Sequence, residues 1–336
     1  MSTRYQFPKA FGLILSTLTL LGLTLLSGCG GGGSSPEAIV GQQSAAEQSA
    51  TEQSEAGQAA GQLSRTASLA VKQGQMLNGV AFGNGIYVAV GDLGKILTTS
   101  DLATWSQRVS GSEAALLAVT FGNGKFVAVG ADGTILTSSD GSAWNSAASG
   151  TTEMLYGVAY GSEKFVAVGT NGALFNSVDG TAWSAVTPIT ANWLYSVCYC
   201  KNRFLAVGEG GTILSSLDGA SWTAIPSGSS SWLFSVCYGN KRFIAVGENG
   251  TISSSLDGSR WAESSAGVNQ ALMSVVFDGA EFLALGEGGV LLRSSNGVSW
   301  AAAGKPVSEA EASGAAGSDW LYSAVLGDNA VLAVGL

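Results

Sequence analysis

The chain has 336 residues, 46% of them hydrophobic and only 12% charged, and carries 48 glycines. That composition suits a glycine-punctuated all-β protein with a large core better than a helical or disordered one. A formal net charge of -9 offers no basic face for phosphate, which argues against nucleic acid as a partner. Histidine is absent, and with it the usual neutral-pH general base, the commonest metal ligand and any Ser-His-Asp or Cys-His nucleophile. No metal or cofactor is expected.

Arg4 and Lys9 precede an apolar run from Ala10 to Leu26, a length that fits an export signal better than a membrane-spanning helix. The run ends in Leu26-Ser27-Gly28-Cys29, which resembles the bacterial lipoprotein box. The resemblance implies a signal peptide at residues 1–28, cleaved so that Cys29 becomes the lipidated N-terminus and holds the protein to a membrane. Several acyl chains on one residue give stable anchoring. An ordinary secretory signal that happens to contain Cys29 is the other reading. Gly30, with no aspartate in its place, resembles the sorting pattern for the outer membrane. The expected location is the bacterial cell envelope, at the outer membrane in a host with two membranes. Residues 29–65 continue as a Gly/Ser/Ala/Gln tether with no apolar periodicity, too poor in large side chains to bury a core.

From residue 66 onward the chain repeats. Trp105, Trp144, Trp183, Trp222, Trp261 and Trp300 stand 39 residues apart, and so do the glycines that close the runs VAVG, VAVG, VAVG, LAVG, IAVG and LALG at Gly91, Gly130, Gly169, Gly208, Gly247 and Gly286. A seventh such run, LAVG, ends at Gly335 after an insertion of ten residues. A period of about 40 residues marks a propeller or solenoid. Each unit reads as four short strands split by Gly and Asn turns, which describes a propeller blade. A small residue recurs in the first strand at Gly79, Ala118, Gly157, Ser196, Ser235, Ser274 and Ser323, as needed where inner strands crowd an axis. The fold expected over residues 66–336 is therefore an all-β propeller. Seven blades are favoured: six full repeats and a partial one, closed by Thr66 to Gln73 in the fourth-strand position. Six blades with spare strands is the alternative.

The third-to-fourth strand turns read Ser138-Ser139-Asp140-Gly141-Ser142-Ala143-Trp144 and close variants. This resembles the Asp-box, or bacterial neuraminidase repeat, of sialidase-like propellers and of photosystem II assembly factor-like proteins. This chain has one residue fewer between Asp and Trp than the usual box, with Leu102 in place of glycine in the first copy and Asn296 in place of aspartate in the sixth. The resemblance implies a structural turn at Asp101, Asp140, Asp179, Asp218, Asp257 and Asn296, with Trp105, Trp144, Trp183, Trp222, Trp261 and Trp300 packed between strands. Beside these turns lie Lys125, Lys164, Arg203 and Arg242, read as solvated charges partly balanced by the aspartates, with a basic ring for an anion as the alternative.

The opposite face carries Glu209, Glu248 and Glu287, joined by Asp92, and three tryptophans outside the 39-residue beat: Trp193, Trp232 and Trp320. Aromatics and carboxylates around a propeller mouth suit a sugar or polar small molecule. Equally, these tryptophans cap blade cores, as Met76 and Met154 would at the equivalent positions. Glu209 with Glu248 is the first carboxylate pair to consider for a glycosidase. However, no arginine triad of the sialidase kind lies on that face, and near-identical repeats argue against an active site. Cys198, Cys200 and Cys237 complete the inventory, an odd number that leaves at least one free thiol; a Cys200–Cys237 disulfide and buried free thiols are both open. The sequence is read as a lipid-anchored, non-catalytic binding or assembly scaffold with an unidentified protein or glycan partner. A carbohydrate-binding or glycoside-hydrolase propeller is the second reading, and a photosystem II assembly factor-like maturation factor the third.

Overall fold

The computed structural model describes residues 76–303, 320–328 and 330–336, and the backbone of 66–70. The expected signal peptide, the lipidated Cys29, the tether and most of the inserted segment lie outside the described residues.

Blade 1 shows the unit. Strands Leu77–Gly83, Ile86–Gly91, Ile96–Thr99 and Ser106–Arg108 pair antiparallel in sequence order. The next five blades repeat this order, with inner strands at Leu116–Gly122, Leu155–Gly161, Leu194–Cys200, Leu233–Gly239 and Leu272–Phe277. The second strand of every blade is buried along nearly its whole length, because it is covered on both faces by neighbouring blades. Apolar side chains accordingly form layers between blades. Val88 and Val90 meet Leu116, Phe126 and Ala128 between blades 1 and 2, and Leu205 and Val207 meet Leu233, Val236 and Phe243 between blades 4 and 5.

The glycine ending each second strand is required by close approach. A Cβ on Gly208 would overlap the carbonyl oxygen of Trp193, and one on Gly169 would overlap that of Met154. Crowding near the axis explains the small residues of the inner strands: a Cβ on Gly79 would stand 2.9 Å from Ala118 Cα.

The expectation of seven blades is corrected here. Among the described residues there are six four-stranded blades, and the remaining strands form a three-stranded sheet of different construction. In it, Leu321–Leu326 pairs antiparallel with Val331–Gly335, as in the first half of a blade. Thr66–Ala70 then pairs directly with Val331–Gly335, and it runs parallel. The N-terminal strand thus takes the third position, not the fourth. The physical reason is that the free edge belongs to Val331–Gly335 itself, whose main-chain groups need partners at once. This sheet packs against blade 6 through Leu283 and Leu285, and against blade 1 through Leu77 and Ala89.

Candidate functional site

Both faces of the propeller carry repeated polar devices, and each has a structural use. On one face, Asp140 Oδ1 accepts hydrogen bonds from the main-chain N–H of Ser142 at 2.7 Å and of Ala143 at 3.0 Å, and from the Ser138 hydroxyl at 3.1 Å. Asp101, Asp179, Asp218 and Asp257 repeat the pattern, and Asn296 does the same with its amide oxygen at 2.8 and 2.9 Å. Backbone donors from Ser221 and Ala220 hold the Asp218 carboxyl down at about 2. The indoles of Trp144 and Trp183 donate to the Gly141 and Gly180 carbonyls at 2.9 Å. Trp222 is buried, the other five are half-buried, and four of the six lie 6.3–6.5 Å from a phenylalanine of their own blade. The neighbouring lysines do not pair with the aspartate carboxylates. Lys125 Nζ donates to the main-chain carbonyl of Asp179 at 2.7 Å, and Lys164 Nζ to that of Asp218 at 3.1 Å, so each straps one blade to the next.

On the opposite face, the turn between second and third strands begins with Glu209, Glu248 or Glu287 in blades 4 to 6. Each glutamate is tied to the residue that precedes its own inner strand. The carboxylates of Glu209, Glu248 and Glu287 accept from the N–H of Trp193, Trp232 and Ala271 at 3.3, 3.4 and 3.1 Å. Their own N–H groups return to the carbonyls of those residues at 2.8–2.9 Å. In blade 1, Asp92 receives the Asn78 amide at 2.9 Å. Glu209 and Glu248 therefore each clamp the main chain of their own blade.

The tryptophans of this face divide into two groups. Trp193 and Trp232, both half-buried, are joined through Tyr195: the Trp232 ring stacks on Tyr195 at 5.9 Å and Trp193 meets it edge-on at 6.5 Å. Tyr156 packs on Trp193 at 6.0 Å and on Tyr195 at 5.3 Å, and Phe234 closes the cluster 5.4 Å from Tyr195. Trp320 belongs to a separate pair, stacked on Tyr322 at 6.1 Å, with the Tyr322 hydroxyl directed at Met76 Sδ.

Sequence reasoning missed the tyrosines. Tyr156, Tyr195, Phe234 and Tyr322 follow Leu155, Leu194, Leu233 and Leu321 at the start of their inner strands, where other units have Asn78, Leu117 and Met273. In each inner strand this residue is skipped by the pairing register, so it is set apart from the regular alternation. The signal was available as a second 39-residue column, one place after the leucine. Burial raises the Tyr195 phenol well above its ordinary range, with Tyr156 and the charges of Glu209 and Glu248 adding to it; burial and Asp92 do the same for Tyr322. These hydroxyls stay protonated near neutral pH.

A separate open depression of about 800 Å³ lies beside blade 2, lined by Asp132, Thr134, Ser149 and Thr151 among others; none of the clustered rings lines it. Among the described residues, no group of three or more Cys, Asp or Glu is placed to hold a metal ion.

This geometry has relatives. The family model of the DUF6242 beta propeller domain matches residues 61–192. Among solved structures, the chain is similar to YCF48 from Cyanidioschyzon merolae, with a TM-score of 0.62 and 17% identity over 79% of this chain and 94% of that one. It is also similar to YCF48 bound to D1 peptide, with a TM-score of 0.54 and 20% identity over 65% and 77% of the two chains. The fold is a β-propeller. Among curated proteins none matches the chain. At these identities the likeness concerns the propeller architecture, and the aromatic cluster has to be argued from its own residues.

Proposed function

We propose that this propeller is a non-catalytic binding or assembly scaffold, anchored to the cell envelope through lipid on Cys29, and that it receives a protein partner on the Trp193/Trp232 face. The observation that carries the reading is the joining of two half-exposed indoles by Tyr195, on a face whose glutamates are committed to main-chain N–H groups. Clustered aromatics with a partly wet edge are the residues that supply binding energy at interfaces. A glycosidase needs carboxylates that face substrate, and the main-chain bonds of Glu209 and Glu248 favour the binding reading over it. The structural likeness to YCF48 bound to D1 peptide supports a peptide segment of another protein as the ligand.

The test is crosslinking pull-down from intact cells, comparing the wild-type protein with a Trp193→Ala, Trp232→Ala double variant. One stoichiometric protein partner, lost in the double variant while the melting transition is retained, is the expected outcome. Glycan binding that depends on the same two residues, with no protein partner, overturns it. Replacing Cys29 by Ser should move the protein from the membrane fraction to the soluble fraction.

A further inference from the structure

The three described cysteines are free thiols, and two of them touch. Cys198 Sγ lies 3.3 Å from Cys200 Sγ. Two residues apart on one strand, they project to the same side, and both pack in the layer between blades 4 and 5. Cys237 packs in the next layer, between blades 5 and 6, on the far side of the intervening inner strand. No disulfide joins Cys200 to Cys237, although the Cys237 thiol is near enough to add to the upward shift of Cys200.

Cys200 also breaks the repeat. The same position holds Gly83, Gly122, Gly161 and Gly239 in blades 1, 2, 3 and 5, where a Cβ would overlap an aromatic ring of the next blade (Phe121, Tyr160, Tyr199 and Phe277), and Asp278 in blade 6. Only at this hairpin does a thiol stand in the space, and what it meets is another thiol.

We propose that Cys198 and Cys200 form a redox-labile dithiol, closing to an intrastrand disulfide by exchange with a small-molecule disulfide such as oxidised glutathione. The Cys198 thiolate attacks the external disulfide and releases one reduced glutathione. The Cys200 thiolate then attacks the Cys198 sulfur of the mixed disulfide and releases the second. Two thiol protons and two electrons leave the protein, and one S–S bond forms as another is broken. Two residues of extended strand set the Cα atoms about 6.8 Å apart, at the upper edge of the roughly 4.4–6.8 Å that disulfides span. The bridge is therefore strained and easily reduced, in contrast to a structural disulfide. Contact with Cys198 and burial raise the Cys200 thiol, so closure is faster at alkaline pH.

The experiment treats the full-length protein in detergent with oxidised glutathione, alkylates the remaining thiols and maps peptides by mass. The expected result is loss of alkylation at Cys198 and Cys200, a peptide lighter by two hydrogens that contains both, an alkylated Cys237, and recovery of both thiols under excess reduced glutathione. A Cys200→Gly variant, which places there the glycine of blades 1, 2, 3 and 5, should fold normally by circular dichroism and leave Cys198 as a glutathione adduct. Cys237→Ser should bridge as the wild type does. Three thiols that all stay reactive, a lasting glutathione adduct on the wild-type pair, a bridge that includes Cys237, or one that reduced glutathione does not reopen would each overturn the proposal.

Discussion

Trp193 and Glu209 hold each other at both ends of one link: the Glu209 N–H donates to the Trp193 carbonyl at 2.8 Å, and the Trp193 N–H donates to the Glu209 carboxylate at 3.3 Å. The pair fixes the place where the chain enters blade 4, and with it the angle at which the indole leaves the backbone.

This relationship predicts a split between two substitutions. Glu209→Ala removes the acceptor and leaves a half-buried N–H unpaired, which should cost about 1–2 kcal/mol in urea denaturation. Glu209→Gln keeps an oxygen at the same reach and should cost less than about 0.5 kcal/mol. Equal losses from the two would show that the charge, and not the hydrogen bond, is what matters.

The aspartate turns predict acid sensitivity of definite sign. Asp101, Asp140, Asp179, Asp218 and Asp257 all have their carboxyl pKa lowered by hydrogen bonds in the folded state. Their contribution is fully present above the unfolded value of about 4 and is lost as pH falls through the folded value, about 2 for Asp218. Urea midpoints should therefore drop from about pH 5 to about pH 2. Converting all five to asparagine should flatten that drop, because Asn296 already makes the same two main-chain bonds without a titrating group. An unchanged slope in the five-fold variant would place the acid sensitivity elsewhere.

Leu93 offers a stabilising substitution. It has φ of +53° and is 66% exposed, so it bears the left-handed penalty with little packing to offset it. The same turn position is held by Asp132, Asn171, Gly210, Asn249 and Gly288. Leu93→Asn should raise stability by up to about 1 kcal/mol. A lower melting temperature would show that the exposed leucine makes contacts worth more than its backbone strain.

Much of the fold was legible because the repeat enforces it. The run VAVG, buried on both sides, and the glycine after it follow from strand packing that any one unit displays. What was illegible depended on contacts across long separations. The glutamate clamps join residues 16 apart that only the finished blade brings together. Tyr195 escaped notice because it sits one place beyond the alternating pattern, next to a more conspicuous tryptophan. The tryptophans off the beat stand out in the sequence, yet their division into a pair joined through Tyr195 and a Trp320 stacked on Tyr322 depends on ring geometry. The position of the N-terminal strand was misjudged because counting in steps of 39 assigns a place in the repeat, while hydrogen bonding goes to the nearest open edge.

That N-terminal strand has a mechanical meaning. Thr66–Ala70 lies parallel to Val331–Gly335 through five residue pairs, so the two extremities of the propeller chain are fastened side by side. A steady tug along the chain ahead of Thr66 acts along the ladder, in shear, and loads those pairs together instead of unzipping them singly. The strand is the clasp of a belt, and its five rungs set how hard the belt can be pulled before the ring comes undone.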